Sequence, residues 1–179
     1  MVNRNREYSR RGLLGAFAAT SIMAAPTFPS AAGFIRNAGD IRRIKMYSTR
    51  TGEKLDIIYW IEGFYITDAL SEVNYFMRDW RQNKEKPIDT RTVDIIAASM
   101  RLLETETPFQ MLSGYRTSST NKLLRSRSRN VAKKSLHMVG QAVDLRMQGR
   151  SVRQIARAAA SCSAGGVGRY SRSNFVHVD

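Results

Sequence analysis

The rhythm of apolar residues along this chain shifts between a period of two and one near three and a half. Ile41-Arg42-Arg43-Ile44-Lys45-Met46-Tyr47 and Leu55-Asp56-Ile57-Ile58-Tyr59-Trp60 read as the two strands of a hairpin joined through Thr49-Arg50-Thr51-Gly52-Glu53, where glycine supplies the turn. A second turn at Glu62-Gly63 leads to Tyr65 and Ile66. Leu70, Val73, Met77 and Trp80 follow at helical spacing, which predicts a helix from a Thr67 or Asp68 cap to about Arg81 with these four in the core. After a polar loop, Gln82 to Pro87, a second helix starts at Asp89 or Thr90. It carries Val93, Ile96, Ala97, Met100 and Leu103 on one face, and Pro108 is expected to end it.

Phe109 to Ser113 reads as a buried strand that delivers Gly114-Tyr115-Arg116 to its end, and Asn121 to Arg125 as a short helix. Gln141 to Met147 alternates as another core strand. Ala142, Asp144 and Arg146 fall on one face and Val143, Leu145 and Met147 on the other. Val152, Ile155, Ala156, Ala159 and Cys162 share the face of a helix, and Phe175, His177 and Asp179 share the face of a last strand. Strands and helices are segregated rather than alternating as βαβ units, so the expected fold class is α+β.

Composition adds a targeting segment to this picture. Arg4, Arg6, Arg10 and Arg11 precede an apolar run, Leu13 to Ala25, that is too short to span a bilayer. Ser9-Arg10-Arg11-Gly12-Leu13-Leu14 resembles a twin-arginine export signal, and Ser30-Ala31-Ala32 offers small residues for cleavage before Gly33. Residues 1–32 are therefore read as signal, 33–40 as linker and 41–179 as one domain, exported and not inserted in the membrane after cleavage. Removing the signal lowers the formal charge only from +14 to +11. Lys122, Arg125, Arg127, Arg129, Lys133 and Lys134 form the densest basic patch. Strong basicity fits nucleic acid, but an exported domain meets anionic envelope polymers instead; a solvated loop without a partner is the plainer reading. The lone Cys162 reads as a buried structural thiol.

Candidate chemistry rests on very few residues. The chain has two histidines, His137 in Ser-Leu-His-Met-Val-Gly and His177 in Asn-Phe-Val-His-Val-Asp, both in segments of strand-like alternation, and Asp144 follows the first by seven positions. Two imidazoles and a carboxylate are the three-ligand set of hydrolytic zinc sites. Two half-buried histidines satisfied by backbone groups would give the same spacing, and a two-His, one-carboxylate iron(II) site is a further alternative. A serine nucleophile at Ser135 is rejected, because it would need an adjacent base and a metal would claim both histidines.

Ser135-x-His137-x-x-Gly140-x-Ala142-x-Asp144 and His177-x-Asp179 resemble the motif pair of the zinc D-Ala-D-Ala peptidases, within them the YcbK/MepK-like murein endopeptidases. Ser113-Gly114-Tyr115-Arg116, Thr120-Asn121 and Gly165-Gly166-Val167-Gly168 match as well, so the likeness runs from Ile41 to Asp179. It implies a mixed, largely antiparallel sheet packed against helices, with one zinc on its open face held by His137, Asp144 and His177. It also implies that Tyr115 and Arg116 bind substrate, with Arg116 placed to stabilise an oxyanion, and that peptidoglycan in the periplasm is the partner.

Two departures from that pattern bear on mechanism. Many of these peptidases carry a carboxylate three residues before the last histidine; here that position is Asn174, which cannot take a proton. The chain also stops at Asp179, where relatives continue, and truncation is one reading of this. Strand parity puts Asp179 on the His177 face, about 7 Å along, as general base or as a residue that orients the imidazole. The expected function is thus zinc-dependent cleavage of stem or cross-link peptides, with Asp179 as the base. The alternatives are a D-Ala-D-Ala carboxypeptidase and a metal-retaining wall-binding module without catalysis.

Overall fold

A computed structural model describes residues 39–129 and 131–179. The export signal and nearly all of the linker lie outside the described residues. Seven strands form one sheet: β1 (Ile41–Ser48), β2 (Lys54–Ile61), β3 (Phe64–Tyr65), β4 (Phe109–Ser113), β5 (Val143–Arg146), β6 (Val167–Tyr170) and β7 (Phe175–Val178). Their order is β3-β2-β1-β4-β5-β7-β6, and only the β1–β4 pair is parallel. Among the described residues four α-helices accompany the sheet: α1 (Thr67–Phe76), α2 (Thr90–Leu102), α3 (Ser118–Arg127) and α4 (Val152–Ser161). This is the expected α+β domain with a mixed, largely antiparallel sheet.

The alternation read from sequence explains how the sheet is covered. α1 packs on β2, α2 on β1, and α4 on β6 and β7. Phe109 and Met111 of β4, Val143 and Leu145 of β5 and Val176 and Val178 of β7 are buried with Val93, Ile96, Ile155 and Ala159 in one core. The intervening residues Asp144 and His177 point the other way, because successive side chains of a strand alternate. They are also direct cross-strand partners in the β5–β7 ladder. Cys162 is buried and caps α4; Ser151 and Gln154 close a capping box at its start.

Inside the core lies an ion pair that hydrophobic periodicity does not reveal. Asp94 of α2 is fully buried and 2.8 Å from Arg42 of β1. It accepts 2.7 Å hydrogen bonds from the hydroxyls of Tyr59 and Tyr65, and the Arg42 guanidinium lies 4.1 Å over the Trp60 ring. A carboxylate in the apolar run Val93-Asp94-Ile95-Ile96-Ala97 was the available signal, since a charge there must be paired.

Several local expectations are corrected. α1 ends at Phe76, not near Arg81, and Trp80 is 40% exposed rather than in the core. The helix stops because the next backbone groups serve distant partners: the Met77 carbonyl accepts from Tyr115 N–H (2.8 Å), and Asp79 bridges to Lys84. Its N-cap is Ile66 without a side-chain bond; Thr67 is already helical, and Asp68 in the first turn complements the positive helix end. α2 is capped by Asp89 as expected but ends at Leu102, with Glu104 at φ +47°, well before Pro108. His137 lies not in a strand but in a 3-10 turn, Leu136–Val139.

Candidate metal centre

Three elements bring the site together. β5 and β7 present Asp144 and His177 side by side, and the 3-10 turn brings in His137. That turn closes at Gly140, whose φ of +76° suits glycine, and a Cβ there would lie 2.3 Å from the Pro87 carbonyl. Ser135 orders the turn through its backbone carbonyl, which accepts from Met138 N–H at 2.9 Å. Candidate ligand atoms of His137, Asp144 and His177 all lie within 4.8 Å of one another.

The donor chemistry of His137 tests whether a cation fits. Its Nδ1 lies 2.8 Å from the Gly114 carbonyl oxygen. A carbonyl only accepts, so Nδ1 carries the proton and Nε2 of the neutral ring has a bare lone pair. That Nε2 is buried, has no hydrogen-bond partner, and sits 3.3 Å from Asp144 Oδ2, another acceptor. Two buried acceptors facing each other suit a cation between them, and a backbone carbonyl behind a ligand histidine is the usual orienting partner.

His177 differs, because both of its nitrogens face carboxylates: Nδ1 lies 2.8 Å from Asp144 Oδ1 and Nε2 lies 3.1 Å from Asp179 Oδ2. Burial disfavours its charge, but Asp144 and then Asp179 outweigh burial and raise its pKa. Burial likewise disfavours charge on Asp144, yet the His177 imidazole, 2.8 Å away, holds its carboxyl below the usual range. The charged form of Asp144 is thereby favoured, the form that binding a metal would require. Asp179 Oδ1 accepts from Gly166 N–H at 3.0 Å, and its own N–H bonds to the Gly166 carbonyl.

Arg116 enters from the end of β4. Its Nη2 is 3.6 Å from Asp144 Oδ2, it is 9% exposed, and its Nε has no partner. Burial lowers its pKa, and Asp144 pushes the other way. Its backbone is clamped from both sides: Arg116 N–H donates to the His137 carbonyl (3.1 Å), while Tyr115 N–H donates to Met77. Gly114 packs so closely that a Cβ would lie 2.4 Å from the Met77 carbonyl. Tyr115 is half-buried against the core. Asn174, three residues before His177, is an exposed residue at φ +53° in the β6–β7 turn. Asparagine tolerates that left-handed conformation better than most residues.

Sequence reasoning missed Asp79. It is 2% exposed and accepts from Thr117 N–H (2.9 Å), the Thr117 hydroxyl (2.8 Å) and Arg81 N–H (3.1 Å). No local pattern marks it, because all but one of these bonds go to a residue 38 positions away.

Comparison with known proteins follows from this geometry. The sequence pattern of the family described as "Peptidoglycan L,D-endopeptidase MepK" matches residues 36–179. The Escherichia coli K12 peptidoglycan L,D-endopeptidase MepK is 45% identical over 138 residues, 77% of this chain and 76% of that protein. A Haemophilus influenzae protein named "Probable peptidoglycan L,D-endopeptidase MepK" is 34% identical over 141 residues, 77% of this chain and 75% of that one. The crystal structure of Serratia marcescens L-Ala D-Glu endopeptidase ChiX aligns with a TM-score of 0.41 and 18% identity, over 62% of this chain and 87% of that one, too distant a likeness to bear on the site.

Proposed function

The chain belongs to the peptidoglycan L,D-endopeptidase MepK family, and from that premise we propose that this peptidoglycan endopeptidase works with one zinc ion held by His137, Asp144 and His177. The bare, buried Nε2 of His137 facing Asp144 carries the metal assignment. When bound, zinc supplies Lewis acidity, bringing water toward a pKa of about 7 and polarising a carbonyl. The protein's own residues do the rest. The Gly114 carbonyl fixes the tautomer of His137, Asp144 contributes one negative charge, and Arg116 places a cation beside the carboxylate where charge develops on the scissile carbonyl oxygen. Purified peptidoglycan digested by the zinc-loaded exported protein is expected to release fragments differing by a single hydrolysed peptide bond, identified by mass. Intact peptidoglycan in the presence of bound metal would leave the wall-binding module instead.

Arg116→Ala should keep its zinc and lose about 100-fold or more in turnover, the usual cost of an oxyanion partner. Normal turnover would reassign Arg116 to structure. Asp179 has two proposed roles. The contact of its Oδ2 with His177 Nε2 supports holding the imidazole, whereas the base role, adopted from parity, needs a free lone pair on the same carboxylate. Asp179→Asn with intact zinc affinity and lost hydrolysis marks the base. Zinc affinity weakened about 10- to 100-fold, with activity recovered at high zinc, marks the holding role.

The periplasm is the proposed location, reached by the twin-arginine route, from Arg10-Arg11 and the apolar run behind them. Arg10→Lys with Arg11→Lys should hold the precursor in the cytoplasm, as cell fractionation reads; an unchanged periplasmic yield would point to the general secretory route.

A further inference from the structure

From Thr107 to Asp179 the chain carries thirteen lysines and arginines but only two acidic side chains, Asp144 and Asp179. Both carboxylates lie against His177, so the metal centre holds all the acidic side chains of this stretch. Its cations are densest on α3 and just beyond it. Lys122, Arg125, Arg127, Lys133 and Lys134 are all exposed, and among the described residues none of the five forms an ion pair. Asp79, the carboxylate at the start of α3, is buried and accepts from Thr117 and from the Arg81 N–H. It pairs with none of them.

The fold ties this surface to the metal centre at both ends. α3 starts directly after Arg116, with Thr117 as its N-cap, and the chain returns in the turn that carries His137. There the Arg116 N–H donates to the His137 carbonyl at 3.1 Å and closes the excursion beside the ligands. Inside it, the buried Asn121 amide donates to the Ala132 carbonyl at 3.1 Å, which holds the Lys133–Lys134 segment to α3. Only Thr120 and Asn121 of α3 are buried, so most of the helix faces solvent. A helix of ten residues is about 15 Å long, which keeps its cations within about that distance of the Arg116 backbone. Arg125 and Arg127 sit in the last turn, where the helix dipole favours cations; Lys122, Lys133 and Lys134 lie outside that turn.

We propose that α3 and Lys133–Lys134 form a docking surface for the free carboxylates of the peptidoglycan polymer, which seats the wall beside the metal centre. Charge complementarity selects this partner: an exposed face of unpaired ammonium and guanidinium groups meets a polymer whose peptides repeat a carboxylate. The proposal rests on the endopeptidase reading for the identity of that polymer.

Co-sedimentation of the zinc-loaded exported protein with purified sacculi, in the cold and at low salt, reads docking without requiring hydrolysis. Arg125→Gln with Arg127→Gln, and Lys133→Gln with Lys134→Gln, should each weaken binding about threefold or more, and all four together about tenfold. Arg153→Gln with Arg157→Gln removes the same charge from exposed positions of α4, which packs on the opposite face of the sheet; it should change binding by less than about twofold. Wild-type binding should also fall as salt rises and after the carboxylates of the sacculi are amidated. Unchanged binding by the fourfold variant, an equal loss in the α4 variant, or full binding to amidated sacculi overturns the proposal. So does a loss seen only with phosphatidylglycerol vesicles, which would assign the surface to a membrane. Should the wild type hydrolyse nothing, the endopeptidase reading falls, while α3-dependent binding to sacculi still supports the docking surface.

Discussion

His177→Ala is expected to leave a folded protein that no longer retains zinc and no longer hydrolyses peptidoglycan. Wild-type protein should carry about one zinc per chain by elemental analysis. The variant, purified the same way, should carry under about a tenth of that. His177 is the better first substitution of the two histidines because it is partly exposed, whereas His137 is 1% exposed and its loss also strands the Gly114 carbonyl. His137→Ala should lose the metal equally but melt lower, since a buried acceptor without a donor costs about 1–3 kcal/mol. Chelation of the wild type should abolish hydrolysis, and zinc should restore it, because the ligands are held by sheet and turn rather than by the ion. Full zinc retention when both histidines are replaced would end the assignment.

The second large effect concerns stability rather than chemistry. Asp94→Ala removes the one acceptor that Arg42, Tyr59 and Tyr65 share in the core. Breaking a buried ion pair from one side costs about 3–5 kcal/mol. At a urea slope of about 2 kcal/mol/M, the midpoint should fall by roughly 2 M. Arg42→Met should cost less, because Asp94 keeps both tyrosine hydroxyls as donors. The order of the two midpoints is the diagnostic result: if the two variants unfolded alike, the tyrosine hydroxyls would contribute nothing to the network. Neither change touches His137, Asp144 or His177, so zinc content in the folded fraction should be normal.

Much of the architecture was legible from periodicity. The hairpin, the β4 and β5 strands, the last strand and the faces of α2 and α4 followed from apolar spacing, because a helix and a strand each impose their own repeat on whichever side is buried. The spacing of His137, Asp144 and His177, together with the Gly114-Tyr115-Arg116 segment, was also readable, and the fold brings these residues close to one another. β6 went unread, because Val167-Gly168-Arg169-Tyr170 has too little alternation to announce a strand and is held by pairing with β7. α1 looked longer than it is, because Met77 and Trp80 keep the helical period while the Met77 and Asp79 backbones bond elsewhere.

The sequence by itself determined which residue types are present and which side of each element they occupy. Alternating valine and leucine left little choice for β5, whereas two histidines and one suitably spaced aspartate fitted a metal site and a pair of satisfied histidines alike. Tertiary structure decided what those residues touch. The β5–β7 ladder sets Asp144 against His177 across 33 positions. The Gly114 carbonyl, 23 positions before His137, decides which imidazole nitrogen is bare. Asp79 joins Trp80–Arg81 to the Arg116 segment, and Asp94 finds Arg42 in β1. Periodicity is a property of consecutive backbone units and is written locally. Strand order, and the hydrogen bonds that depend on it, arise only when distant segments meet, and no single segment encodes its partner.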